Sequence, residues 1–413
     1  MSREELSWVL YDVGNSAFVL VMVTAIMPIF FKDIAASHLP GATSTAHWGF
    51  ANSAASLILA CLSPILGAMA DYHNRKKIFF LFFLFFGLSF TLALPLVGQG
   101  QWLLCLFLFV LARVGWAGAN IFYDAFLIDI TTKERMDIIS TRGYASGYIG
   151  SVIPFVIILG LILSAGMSEG LPLFETRLGF GIVALWWLLL SLPAMKNLKQ
   201  HHYIPHSTTP IADSFKRLWK TLIEIRQYKQ PFLFLAAYFF YIDGVGTIIS
   251  MSTAYGRDLG FSVTLLIVVL LFIQVVAFPF ALLSGRLATI FSTKRVLLWG
   301  IGIYCLVTLL AFLLPSIDNI SVKTSLFWII AFLVALAMGG IQALSRSYFG
   351  KLIPPEKSAE FFGFYNVFGK FAAITGPFIM GIVAQITGES RWGILSILLL
   401  FIIGGFLLSR VEE

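Results

Sequence analysis

The sequence predicts an all-α membrane protein with about twelve spanning helices, and three observations carry that expectation. Of its 413 residues, 59% are hydrophobic and 12% charged, with a mean hydropathy of +0.89, whereas a soluble domain carries roughly twice that charged share. Apolar runs of about 20 residues, enough to cross a hydrocarbon core, follow one another nearly from end to end. The links between them are mostly short, as in packed helical hairpins.

Taken in order, spans are expected near residues 7–31, 47–70, 78–98, 102–130, 142–165, 178–195, 231–254, 262–285, 296–315, 324–350, 361–386 and 392–409. The first apolar stretch carries Asp12 and Asn15 and ends at Lys32, unlike the apolar region of a signal peptide, so no cleavable leader is expected. The long polar stretch 197–230 divides the chain into two six-helix halves, 1–196 and 231–413.

The net charge of +7 reads as membrane orientation rather than nucleic-acid binding, because the cations sit in short loops. One set of loops holds Arg75, Lys76, Lys77, Lys133, Arg135, Arg142, Lys294, Arg295, Lys351 and Lys357, together with the basic linker. The other holds scattered Lys32, Arg177, Arg257, Lys323 and Arg391. Positive charge stays inside, so both termini are expected in the cytoplasm. Within the linker, the part near Phe215–Trp219 reads either as an amphipathic helix on an anionic leaflet or as a plain tether, and both readings stay open. His201, His202 and His206 in such a linker do not make a specific metal site, and no metal or cofactor is expected. Cys61, Cys105 and Cys305 lie in apolar runs and read as packing residues. Asn319, Ile320 and Ser321 match a glycosylation sequon on the expected outer face, a pattern too short to assign modification.

The halves echo each other. Gly67, Asp71 and Arg75 close span 2, and Gly285, Thr289 and Arg295 close span 8. Tyr11, Asp12 and Gly14 correspond to Tyr241, Asp243 and Gly244, and Gly143 and Gly150 correspond to Gly363 and Gly369.

A charge in hydrocarbon costs a few kcal/mol or more, so ionisable residues within spans are functional candidates. Helical spacing sets them in stripes: Asp12, Asn15 and Ser16 in span 1; Arg113, Trp116, Asn120 and Asp124, beside Tyr123, in span 4; Asp243 and Thr247 in span 7; Asn366 and Lys370 in span 11. Opposite charges suggest pairing Asp243 with Lys370, and Asp12 or Asp124 with Arg113, either around a solute or as simple locks between helices. Asp129 and Arg346, nearer the interface, are expected to snorkel. Trp116, Tyr123 and Tyr365 are candidate stacking surfaces, with core packing the plainer reading.

The stretch 67–77 (GAMADYHNRKK) resembles the loop signature of the major facilitator superfamily. Closer still is the autophagy-related vacuolar amino-acid effluxer-like family and its bacterial branch, which the chain resembles at 8–18 (WVLYDVGNSAF), 122–127 (FYDAFL), 143–150 (GYASGYIG), 241–247 (YIDGVGT), 339–347 (GGIQALSRS) and 360–370 (EFFGFYNVFGK). The resemblance implies a major facilitator fold of two pseudo-symmetric six-helix halves around a central cavity, working by rocking alternating access. It implies Gly67, Asp71 and Arg75 as gating residues, with Asp71 near a helix N-terminus of the other half. Thr289 stands where a second acid would be, so the second copy departs from the pattern.

The expected function is secondary transport of a small polar solute, an amino acid by resemblance. Asn15, Arg113, Asn120, Tyr123, Asp243, Thr247, Gln342, Asn366 and Lys370 are candidate solute ligands, and Asp12, Asp124 and Asp243 candidate proton carriers. The alternative is a lipid-handling protein or a non-transporting sensor on the same fold. No nucleophile–base or metal-ligand motif appears, so an enzyme is not expected, and neither is a nucleic-acid partner. The expected partners are the solute, protons and the bilayer, with the monomer as the working unit in a bacterial inner membrane.

Overall fold

The computed structural model describes residues 1–166, 171–205, 221 and 227–412. Among these, twelve helices are long and apolar enough to cross a membrane. They are α1 (Arg3–Ala35), α2 (Gly41–Ala70), α3 (Arg75–Ala93), α4 (Trp102–Ile130), α5 (Met136–Ala165) and α6 (Leu173–Asn197), then α7 (Lys229–Asp258), α8 (Val263–Phe291), α9 (Thr293–Leu313), α10 (Ile320–Leu352), α11 (Ser358–Thr387) and α12 (Ser390–Ser409). The amphipathic reading of Phe215–Trp219 and the position of His206 lie outside the described residues.

Local chemistry sets several helix ends. Ser2 and Glu5 form a reciprocal capping box at α1, with Ser2 Oγ accepting from Glu5 N–H at 3.0 Å and Glu5 Oε2 accepting from Ser2 N–H at 2.8 Å. Asn319 caps α10, its Oδ1 accepting the amides of Ser321 and Val322 at 2.9 and 3.3 Å. Helix α1 departs from regular α geometry at Phe18–Ala25 and Phe31–Ala35, which are π-helical. Pro28 lies between them, lacks an N–H and disturbs the α ladder. Such widened turns often mark functional stretches.

By packing the chain falls into two compact units. Unit 1 is Met1–Ile130, Ser146–Leu218 and Pro355–Gly363; unit 2 is Thr131–Ala145, Trp219–Pro354 and Phe364–Glu413. Two helices change unit along their length, since the first turns of α5 belong to unit 2 and the first turns of α11 to unit 1. Inside unit 1, α1 packs on α6, α3 on α4 and α2 on α4. Inside unit 2, α7 packs on α12, α9 on α10 and α8 on α10. Every pairing recurs six helices later, so the echoes seen in sequence correspond to repeated packing. Each unit buries aromatic and small residues, Trp8, Tyr11, Phe18 and Trp187 in one and Phe234, Tyr241, Tyr304 and Phe401 in the other. Large apolar side chains such as Phe50, Leu96 and Ile386 stay exposed, as on a lipid-facing surface.

Candidate functional sites

In unit 1 the polar stripes of α1 and α4 meet at Asn15. Its Nδ2 donates to Tyr11 O at 3.1 Å and Asp12 Oδ1 at 3.3 Å, while its Oδ1 accepts from Trp116 Nε1 at 3.2 Å and Asn120 Nδ2 at 3.5 Å. The helices run antiparallel, because Trp8 Nε1 also donates to Tyr123 O at 2.8 Å. Tyr123 is fully buried, stacked on Trp8 at 4.4 Å and tilted against Tyr11 at 4.7 Å, so its ring packs α1 on α4. Asp124 is half-buried one turn beyond Asn120.

Two polar groups in this unit are left over. Asn120 Oδ1 is buried and accepts from nothing among the described residues. Arg113, one turn before Trp116 and half-buried, has no carboxylate at ion-pair distance among the described residues. The expected pairs of Arg113 with Asp12 or Asp124 are not formed. The antiparallel register sets Asp12 level with the Asn120–Tyr123 turn, where Asn15 engages it. Asp124 lies eleven residues along α4 from Arg113, about 16 Å at helical rise.

In unit 2 Asp243 is fully buried on α7. Its Oδ1 accepts the N–H of Gly376 on α11 at 2.7 Å, and its Oδ2 has no partner among the described residues. Thr247, one turn on, donates to Asp243 O at 2.7 Å. A Cβ at Gly376 would lie 2.0 Å from Thr247 Oγ1 and 2.5 Å from Asp243 Oδ1, so the approach requires glycine. The expected Asp243–Lys370 pair is not formed, because Lys370 lies six residues before Gly376, about 9 Å along α11. Asn366 and Lys370, one turn apart, are half-buried, as is Gln342 on α10. Tyr365 stacks on Tyr238 at 4.3 Å. Beside Thr247 a cavity between α7, α9, α10, α11 and α12 is lined by Met251, Tyr255, Thr308, Phe327 and Met380. The Thr308 hydroxyl donates to Tyr304 O at 2.8 Å and that of Tyr255 to Ala311 O at 2.8 Å, so this cavity presents carbon.

At the end of unit 1 that bears Arg75, Asp71 sits at the N-terminus of α11. Its two oxygens accept the amides of Ala359 at 2.8 Å and Glu360 at 2.9 Å, where free amides and the helix dipole favour an anion. Burial nonetheless pushes its carboxyl up to about 7, against the pull of Lys76 and with Glu360 adding to the rise. Gly67 permits the contact, since a Cβ there would lie 2.2 Å from Ala359 O. The buried cation is Lys76; Arg75 is exposed. Lys76 Nζ donates to Asp129 Oδ2 at 2.6 Å and Ser358 Oγ at 2.7 Å.

A strap after α6 closes this end. Ile204 N–H donates to Asp71 O at 2.8 Å, Gln200 Nε2 donates to Ala70 O at 3.2 Å, and the amides of His201 and His202 donate to Asp129 Oδ1 at 2.9 and 2.8 Å. Asp129 and Arg346 therefore do not snorkel. Asp129 is buried under this strap, and Arg346, 2% exposed in unit 2, donates from Nε to Ser140 Oγ at 3.0 Å and stacks on Tyr144 at 4.4 Å. Both find hydrogen-bond partners where they are buried, which offsets part of the cost of leaving water. Sequence reasoning missed the strap and the inward turn of Lys76; the run Arg75–Lys77 was legible, but not which cation turns inward, and Gly376 was legible as a glycine within a span, but not its contact with Asp243.

Comparison with known proteins agrees with this architecture. A family model described as "Vacuole effluxer Atg22 like" matches residues 41–413. The chain is 47% identical over 416 residues to the MFS-type transporter YxiO of Bacillus subtilis, covering 100% of this chain and 95% of that protein. Autophagy-related protein 22-1 of Aspergillus fumigatus is 27% identical over 288 residues, 63% of this chain and 46% of that protein, so the alignment takes in about half the fungal relative's length. Among solved structures, the major facilitator superfamily transporter FucP in its outward conformation superposes with a TM-score of 0.74 at 15% identity, over 100% of this chain and 99% of that one.

Proposed function

The chain belongs to the Atg22-like vacuole effluxer family of major facilitator superfamily transporters, and on that premise we propose that it carries a small polar solute with an anionic group, an amino acid or related metabolite, coupled to protons. The observation that carries this reading is Arg113. A guanidinium at bilayer depth is costly without a counter-charge, and with no carboxylate beside it among the described residues, the solute supplies one. Asn120 Oδ1 and Asn15 on the same face offer polar contacts for the rest of the solute, and Gln342, Asn366 and Lys370 are the corresponding candidates in unit 2. Tyr123 acts through packing. Asp243, fully buried with one oxygen that has no partner among the described residues, is the proposed proton carrier; Asp12 and Asp124 are secondary candidates.

In this reading the two units alternate access to the solute as a monomer. Both termini face the cytoplasm of a bacterial cell, as the Lys and Arg asymmetry supports. Lipid handling is the second reading, favoured by the carbon-lined cavity beside Thr247. The test is solute uptake or efflux in proteoliposomes with an imposed pH gradient, screened over amino acids, peptides, sugars and organic acids. Transport of an anionic or zwitterionic solute, lost in Arg113→Gln and uncoupled from the gradient in Asp243→Asn, supports the proposal. Full activity of both variants refutes it, and movement of a fluorescent phospholipid instead would favour the second reading.

A further inference from the structure

The loop after α8 lacks the acid that Asp71 supplies after α2, because Thr289 stands in its place and donates to Arg286 O within its own helix. Unit 2 nevertheless contains an ionic cluster at the matching end, built from Asp137. This residue lies in the first turn of α5, in the stretch of that helix that belongs to unit 2, and is 2% exposed. Its Oδ1 accepts from Ser347 Oγ at 2.6 Å; its Oδ2 accepts from Thr293 Oγ1 at 2.7 Å and Lys351 Nζ at 2.5 Å. Lys351 Nζ also donates to Thr293 Oγ1 at 2.9 Å. One turn on, Ser140 Oγ donates to Ala343 O at 2.7 Å, and its own oxygens accept from Arg346. A Cβ at Gly285 would lie 2.2 Å from Thr141 Oγ1, so α8 closes on α5 as α2 closes on α11 at Gly67.

The two clusters correspond part by part. In unit 1 the start of α11 is held by the start of α3 and the end of α4, through Ser358, Lys76 and Asp129. In unit 2 the start of α5 is held by the start of α9 and the end of α10, through Asp137, Thr293 and Lys351. Hydroxyl, cation and acid recur, but each has moved. The acid passes from the end of the fourth helix of one repeat to the start of the crossing helix, the cation from the third helix to the end of the fourth, and the hydroxyl from the crossing helix to the third.

We propose that Asp137, with Lys351 and Thr293, is the second gating clasp of this protein, a charge-permuted counterpart of the Ser358–Lys76–Asp129 clasp, which holds the first turn of α5 against α8, α9 and α10 and must release in each transport cycle. Asp137 acts by positioning α5 and does not touch solute. The idea takes its purpose from the transport reading, but its test needs no solute, so failure of one leaves the other separately decidable.

The test uses full-length protein with its three cysteines replaced and one cysteine introduced at the buried first turn of α5 (Met136→Cys). In liposomes the reaction rate of this thiol with a small maleimide reads opening of the clasp. Asp137 is buried and Lys351 keeps 24% of its side chain exposed, so removing one partner of this partly buried pair weakens the closed form, and Asp137→Asn and Lys351→Met should each raise the rate about tenfold. The exchange Asp137→Lys with Lys351→Asp should return it toward the parent value. Lys294→Met, whose Nζ bonds Val411 O outside the cluster, should leave it unchanged. Rates unaltered in both single variants overturn the proposal. So does a rise in both that the exchange fails to reverse while melting temperature matches the parent, because the clasp would then not depend on the ionic pair.

Discussion

His202 meets Asp129 twice, its amide N–H donating to Oδ1 at 2.8 Å and its ring Nδ1 lying 3.3 Å from the same oxygen. The strap after α6 thereby shares one carboxylate with Lys76, and the start of the linker between the halves becomes part of the packing around α3 and α4.

This contact makes the strap pH-sensitive. The Asp129 hydrogen bond and charge hold the His202 ring above its ordinary value, with Glu356 adding and burial and Lys76 opposing. A histidine raised in the folded state stabilises it fully below its unfolded value, about 6.5, and the gain is lost as pH rises through the folded value. Melting temperature in detergent should therefore fall as pH rises from about 6 into the range above 7. His202→Gln should flatten that slope, and an unchanged slope would rule the contact out as its source.

Asp71 responds in the same direction for a different reason. A carboxyl raised by burial to about 7, even against the α11 amides that pull it down, takes up a proton as the protein folds around it, so its contribution favours the folded state most at low pH and weakens as pH climbs from about 4 through 7. Asp71→Asn keeps the shape but presents one N–H donor to an amide that also donates. It should remove the pH dependence in that window and lower stability by about 1–3 kcal/mol, measured by thermal unfolding across pH.

Lys76 and Asp129 are both without exposed side-chain surface. Lys76→Met leaves a buried carboxylate without its cation and should cost about 3–5 kcal/mol. Adding Asp129→Leu should recover most of the stability at the α3–α4 contact, despite the strap amides it frees. A double variant no better than the single would show that the strap, rather than the ion pair, holds this end.

Gly376→Ala forces a methyl against Thr247 Oγ1 and Asp243 Oδ1. Overpacking of this kind costs about 1–3 kcal/mol, and the Asp243 hydrogen bond is displaced. Proton-coupled transport in liposomes should be lost, and Thr247→Ala should restore stability only in part, since the carboxylate is still in the way. Wild-type coupling in Gly376→Ala would remove this contact from the mechanism.

Twelve helices, the repeat offset by six helices and the polar stripes of α1, α4 and α7 were legible in the amino-acid string. They depend on local quantities: the length of apolar runs, helical period, and the cost of charge in hydrocarbon. Asn15, Trp116 and Asn120 share helix faces for that reason, and spacing alone found them. The partners of charged residues were not legible. Arg113 with Asp12, and Asp243 with Lys370, have the right signs, but axial register between helices separates them. The sequence holds Asp137 and Lys351 214 residues apart, and nothing local marks either as the other's partner.

The chain's composition and periodicity were sufficient to specify a bundle of spanning helices with scarce ionic groups, because lipid tolerates little else. Which ionic groups meet, and whether a carboxylate faces an amide, a lysine or nothing, followed from how helices slide and cross. A shift of one turn, about 5.4 Å, exceeds the range of a hydrogen bond.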